Sequence, residues 1–171
     1  MFLNLDTIPP FYKGYVKLIE HPDILQALRI SGSRMMELIH SIPEEKADFR
    51  YAPGKWTIRQ VFCHMQDAER VFGYRALRFA RNDQTPLAGF DEKVYAEFMN
   101  AESRSLAEIA DEMQHLRTST IDLFKTFTAE MLMRKGTANN NELSVGALGI
   151  IIAGHETHHG KIIRERYLTA G

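Results

Sequence analysis

All six prolines, Pro9, Pro10, Pro22, Pro43, Pro53 and Pro86, fall outside four long segments in which apolar residues recur every three or four positions. Proline removes a helical N–H and clashes with the preceding turn, so this distribution leaves the four segments free to be helices. The first spans residues 23–41, with Ile24, Leu25, Leu28, Met35, Leu38 and Ile39 on its stripe. The second spans 57–80, where Thr57 and Gln60 have the spacing of a capping box. The third spans 105–128, opened by the same pairing of Ser105 with Glu108. The fourth spans 144–168, with Ser144 as its cap. The last three are each about 24 residues, or roughly 36 Å at 1.5 Å per residue. No strand series competes with them. The expected fold is all-α, a four-helix bundle in one domain over residues 1–171. The connections at 81–104 and 129–143 are long for a compact domain, which permits a crossover topology and suggests a functional role for one of them.

Composition excludes several functions. Lys plus Arg number 21 against 22 Asp plus Glu, a net charge of -1, which gives no general basic surface for nucleic acid or anionic membranes. One cysteine cannot form an internal disulfide or a cysteine-rich zinc module. No apolar run reaches the length of a membrane span, and residues 1–13 do not read as a secretory signal. The default expectation is a reduced, cytoplasmic protein with no nucleic-acid or membrane partner.

Seven histidines against one cysteine point to where chemistry lies. At 100° per residue, His155 and His159 fall in the middle of the fourth segment's stripe, between Leu148, Ile151, Ile152 and Ile162. Four residues apart, they are neighbours on one face and can grip one metal ion. Two buried imidazoles would otherwise need several polar partners inside a bundle. His64, beside the second segment's stripe with Ala68 and Arg75, is the natural third ligand. His158 lies off the stripe, as a support for the ligands or a solvated residue. Asp67 could orient His64 or hold a water at the metal. Glu156 is a candidate general base; a solvated helix carboxylate is the other reading of both acids. Cys63 points toward the polar side and is rejected as ligand and nucleophile. His21, His40 and His115 read as solvated. Arg75 is a candidate for binding a substrate anion, or else a salt-bridged boundary residue. Asp91 and Tyr95 are candidates for the site entrance.

His155-Glu156-Thr157-His158-His159 also fits the H-E-x-x-H pattern of zinc peptidases. That reading needs a further ligand downstream, no histidine follows His159, and strands to align a peptide are missing.

Three stretches carry a family resemblance. They are Ala52-Pro53-Gly54-Lys55-Trp56-Thr57-Ile58-Arg59-Gln60-Val61, leading into His64 and Asp67-Ala68-Glu69-Arg70; Thr85-Pro86-Leu87-Ala88-Gly89-Phe90-Asp91-Glu92; and Ala153-Gly154-His155-Glu156-Thr157-His158-His159-Gly160-Lys161-Ile162-Ile163. In this order and spacing they resemble the DinB/YfiT-like family of metalloenzyme candidates, in its YfiT-like branch, over nearly the whole chain. The resemblance implies an up-down-down-up bundle, often a homodimer, and one divalent metal on three histidines that match His64, His155 and His159; ligand type leaves zinc, nickel, manganese and iron open as the ion. It also implies a small-molecule substrate, handled either by hydrolysis or by transfer of a low-molecular-weight thiol. The alternative from another class is a non-catalytic, metal-stabilised dimeric bundle, a binding or stress protein. Phe2, Phe11, Tyr12 and Tyr15, ahead of the first long helix, could pack on the bundle or on a second subunit.

Overall fold

Side-chain caps set where the long helices begin. Asp23 accepts the Gln26 N–H, Thr57 and Ser105 each close a capping box with Gln60 and Glu108, and Ser144 accepts the Ala147 N–H. Each cap satisfies an otherwise orphaned donor and contributes about 1 kcal/mol. The computed structural model describes residues 8–169. Its helices are α1 (Pro10–Val16), α2 (Ile24–His40), α3 (Ile58–Ala80), α4 (Glu92–Phe98), α5 (Leu106–Lys125), α6 (Ala129–Met133) and α7 (Val145–Ile162), the last continuing as a π-helical turn over Ile163–Leu168. The four long helices, α2, α3, α5 and α7, coincide with the four periodic segments.

Hydrogen bonds at one end of the bundle fix the helix directions. Just past the end of α2, Glu44 accepts the Leu106 N–H at the start of α5 and pairs with Arg59 in the first turn of α3. Beyond the end of α7, the Tyr167 hydroxyl donates to the Trp56 carbonyl just before α3. Two helices therefore end where the other two begin, and the order is up-down-down-up. α2 and α7 pack against each other and α3 packs against both α5 and α7, while α2 also meets α5.

Three features depart from the sequence reading. The 129–143 connection holds α6 and an antiparallel hairpin, β1 (Lys135–Ala138) with β2 (Asn141–Ser144), turned by Asn139 and Asn140 at φ 49 and 59°. Asparagine tolerates that left-handed conformation, which gives the two-residue turn a twist matching its strands. Leu87 bonds to the Thr137 carbonyl and accepts from the Asn139 N–H, so the two long connections are tied together. α1 is a third addition; it packs on α7. Tyr12 is buried there and Tyr15 half-buried, so both pack on the bundle, whereas Phe11 is 72% exposed. Phe2 lies outside the described residues.

α7 is the most enclosed element. Every residue from Val145 to Glu156 is buried, so this helix has no solvated face along that stretch. The close approach of α1 requires glycine at 154, where a Cβ would stand 2.4 Å from the Tyr15 carbonyl oxygen. Cys63 is buried rather than turned to the polar side, its thiol pushed up to about 11 chiefly by desolvation. Among the described residues no helix is long and apolar enough to cross a membrane.

Candidate functional site

His64 sits in the second turn of α3, and His155 and His159 lie one turn apart on α7, which packs against it. The Nε2 atom of His155 is 3.1 Å from that of His64 and 3.1 Å from that of His159. The three donor atoms all lie within 4.8 Å of one another. Aromatic rings close round them: Trp56 at 4.8 Å from His64, Tyr15 at 5.3 Å and Phe72 at 6.2 Å from His155.

Burial acts first on the charge of these rings. Desolvation holds His64 at about 4 and His159 at about 3, and desolvation with repulsion from the other imidazoles takes His155 well below the usual histidine range. All three are therefore neutral near pH 7. A neutral imidazole has one protonated and one bare nitrogen. The single Nε2 position of His155 can serve as donor or as acceptor, so it cannot satisfy both of its neighbours. Nitrogen ligands held about 2.0–2.1 Å from one tetrahedral ion stand roughly 3.3 Å apart, close to the observed spacing. The donor set thus fits a divalent ion on three protein ligands, with a coordination position left for another group.

A cavity of about 200 Å³ opens on the cluster, lined by all three histidines with Phe72, Arg75, Phe90 and Glu92 among its walls. A larger groove, about 540 Å³, meets it at Trp56 and His159; Arg50, Lys55 and Lys93 give this groove a basic lining.

The structure brings together His64, His155 and His159 but not the two acids expected beside them. Glu156 is buried, 2.8 Å from Arg117, which also makes a two-point contact with Glu69. One residue along a helix is a turn of about 100°, and here both faces are inside the protein. Asp67 points instead toward Arg70, at 3.9 Å on the α5 side. Neither acid belongs to the donor cluster or the cavity wall. Asp91 caps α4 by accepting from Lys93 and Val94, and Tyr95 packs on Phe90. His158 is half-buried against Tyr15, and His21, His40 and His115 are exposed. Glu92, which the sequence reading passed over in favour of its neighbour Asp91, is the carboxylate whose field reaches His64 and Tyr15. Its signal was present in the Gly89-Phe90-Asp91-Glu92 stretch, but its direction depends on how α4 is folded back.

An up-down-down-up bundle with three convergent neutral imidazoles at the floor of a cavity defines a helical-bundle protein with a three-histidine donor site. The chain belongs to the DinB superfamily, whose profile matches residues 27–163. It is 26% identical over 138 residues to a protein of Oceanobacillus iheyensis named as a candidate metal-dependent hydrolase, covering 79% of this chain and 78% of that one. Similarity to YfiT of Bacillus subtilis, named likewise, is 22% over 111 residues, 64% of this chain and 62% of the relative. The solved structure of YfiT, described as having an unusual four-helix bundle topology, superposes with a TM-score of 0.76 at 20% identity over 85% of each chain. A mycothiol-dependent maleylpyruvate isomerase shares the fold at a TM-score of 0.69 and 10% identity, over 94% of this chain and 62% of that one.

Proposed function

We propose that this protein is a metal-dependent enzyme acting on a small molecule, with His64, His155 and His159 holding one divalent ion in a single DinB-like domain. The observation that carries this reading is the convergence of three neutral Nε2 atoms on a cavity, in a geometry that hydrogen bonding between them cannot satisfy. Such an ion, when bound, acts as a Lewis acid and favours the anionic form of an oxygen or sulfur nucleophile at neutral pH. Burial keeps the three imidazoles unprotonated and available. Trp56, Tyr15 and Phe72 pack around them, and their low polarity strengthens electrostatic interactions at the cluster. Glu92, at α4 beside His64, is the group we assign to accepting a proton from the nucleophile. Glu156 and Asp67 are given supporting parts: Glu156 holds α7 in register through Arg117, and Asp67 belongs to the α3–α5 ion pairs.

Hydrolysis is the first reading, in keeping with what the two sequence relatives are named for. Transfer of a low-molecular-weight thiol is the second, and the groove meeting the cavity at Trp56 and His159 favours it by offering room for a second reactant. A panel of small esters and amides, and of electrophiles with and without added thiols, separates the two. Metal-loaded protein is expected to turn over one set, with Glu92→Gln lowering kcat while metal content is retained. The rival, a non-catalytic metal-stabilised bundle, predicts no turnover of either set and no binding of exogenous ligands to the cobalt-substituted protein. A homodimer is part of the proposal, with Phe11 and the 80% exposed Phe98 as its contact candidates; sedimentation of Phe11→Ser and Phe98→Ser variants tests it.

A further inference from the structure

Four charged side chains are buried in this bundle, and of these Arg75 alone has no counter-charge among the described residues. Arg75 is 3% exposed on α3 and forms part of the wall of the histidine cavity. One Nη2–H goes to the Ala88 carbonyl at 3.1 Å, and the Tyr12 hydroxyl lies beside the guanidinium. Phe72 and Phe90 flank it at 5.7 and 5.9 Å from their ring centres. Among the described residues no carboxylate comes within ion-pair distance of it. A guanidinium carries five N–H donors, and burying its charge without an anion is costly. Two aromatic faces compensate only in part. Desolvation accordingly lowers Arg75 from the ordinary arginine range.

The cavity says what kind of anion would complete the site. Its volume of about 200 Å³ exceeds the ~150 Å³ at which an apolar cavity takes up benzene. Phe11, Tyr12, Phe72 and Phe90 supply aromatic walls. The guanidinium is 5.7 Å from the Phe72 ring and that ring is 6.2 Å from the His155 ring, which caps the separation of the two ends at about 12 Å. Among the cavity's lining residues Arg75 is the one arginine or lysine, so it is the side chain placed to take an anionic group at the end away from the histidines. We propose that Arg75 is the substrate's anion ligand and that the substrate is a small carboxylate with an aromatic or bulky apolar body, its carboxylate on the Arg75 fork and its other end at the histidine cluster. A planar two-point match of guanidinium with carboxylate suits a cavity this narrow. This inference rests on the cavity being the substrate site.

The test is calorimetric titration of metal-loaded protein with benzoate, phenylacetate and 3-phenylpropionate, beside their neutral amides, in the wild type, Arg75→Lys and Arg75→Met. At least one acid is expected to bind at least tenfold tighter than its amide, with the preference lost in Arg75→Met and reduced in Arg75→Lys. Metal content is expected to stay unchanged in both variants, and Arg75→Met is expected to have a raised Tm because an uncompensated charge is gone. A merely structural arginine predicts a lowered Tm instead. Equal binding of acid and amide, no saturable binding of any of the acids, or acid binding that survives in Arg75→Met through the ion itself would overturn the inference. Failure of the metal reading looks different: no ion in the wild type, whether or not acids bind through Arg75.

Discussion

Two polar clusters are buried side by side in this bundle, and neighbouring residues of α7 belong to different ones. Glu156 joins Arg117 and Glu69, where all three guanidinium nitrogens are engaged: Nε and Nη2 on Glu69, and Nη1 on Glu156, Ser31 and the Leu28 carbonyl. Burial opposes the charge on Arg117, but Glu156 and Glu69 outweigh it and hold the arginine firmly protonated. His155 joins His64 and His159, where one Nε2 position meets two others and can satisfy only one of them, and across the same cavity Arg75 has a charge and, among the described residues, no carboxylate to pair with. The first cluster is complete within the chain. The second is complete only when something is added. Buried polar groups are normally satisfied, so an incomplete set lining a cavity marks the place where ligands go.

The largest effect expected from breaking this contrast is at Arg117. Arg117→Met leaves two buried carboxylates unpaired and should cost about 3–5 kcal/mol in urea unfolding, because a buried charge loses its partner. The same measurement on metal-free His64→Ala should show a change of only about 1 kcal/mol, while metal binding is lost. Equal costs at the two clusters would erase the distinction.

Acid sharpens it. His64 and His159 titrate at about 4 and about 3 in the folded protein, against about 6.5 when unfolded. Below pH 6.5 the unfolded chain binds more protons, so metal-free stability falls as pH drops from 6.5 toward the folded values. Each such histidine adds a slope of up to about 1.4 kcal/mol per pH unit. Thermal unfolding of the metal-free protein between pH 7 and 4 should show this loss, and His64→Ala should flatten it.

The four long helices were legible because three physical signals coincide in them: apolar residues at helical spacing, caps at Asp23, Thr57, Ser105 and Ser144, and proline only outside. The His155–His159 pair was legible for the same reason, since residues four apart share a face on any helix, and His64 was legible from its place beside the apolar stripe of a second helix. Glu156 and Cys63 were misplaced by one assumption, that every helix has a solvated side. α7 has none between Val145 and Glu156 and α3 has none between Val61 and Gln66, and a periodicity argument carries no information about direction in a stretch buried all round. α1, the hairpin at Asn139-Asn140 and Glu92 were missed because their positions depend on contacts between distant segments, such as Leu87 with Asn139.

A smaller effect is expected where α1 covers the cavity. Gly154→Ala pushes a methyl group against the Tyr15 backbone and should cost about 1–3 kcal/mol, with α1 displaced and the Tyr15 amide more open to hydrogen exchange. The smallest lies far from the contrast. Ser105→Ala removes one side of the α5 capping box and should cost about 1 kcal/mol without altering metal content or the acid profile.

The most direct test of the incomplete cluster is elemental analysis of untagged protein beside the His64→Ala, His155→Ala and His159→Ala variants, each after incubation with zinc, nickel, manganese and iron. The account predicts about one equivalent of a divalent ion in the wild type and its loss in all three variants while each stays folded. A wild type that takes up none of the four metals, or variants that keep their full complement, would contradict it.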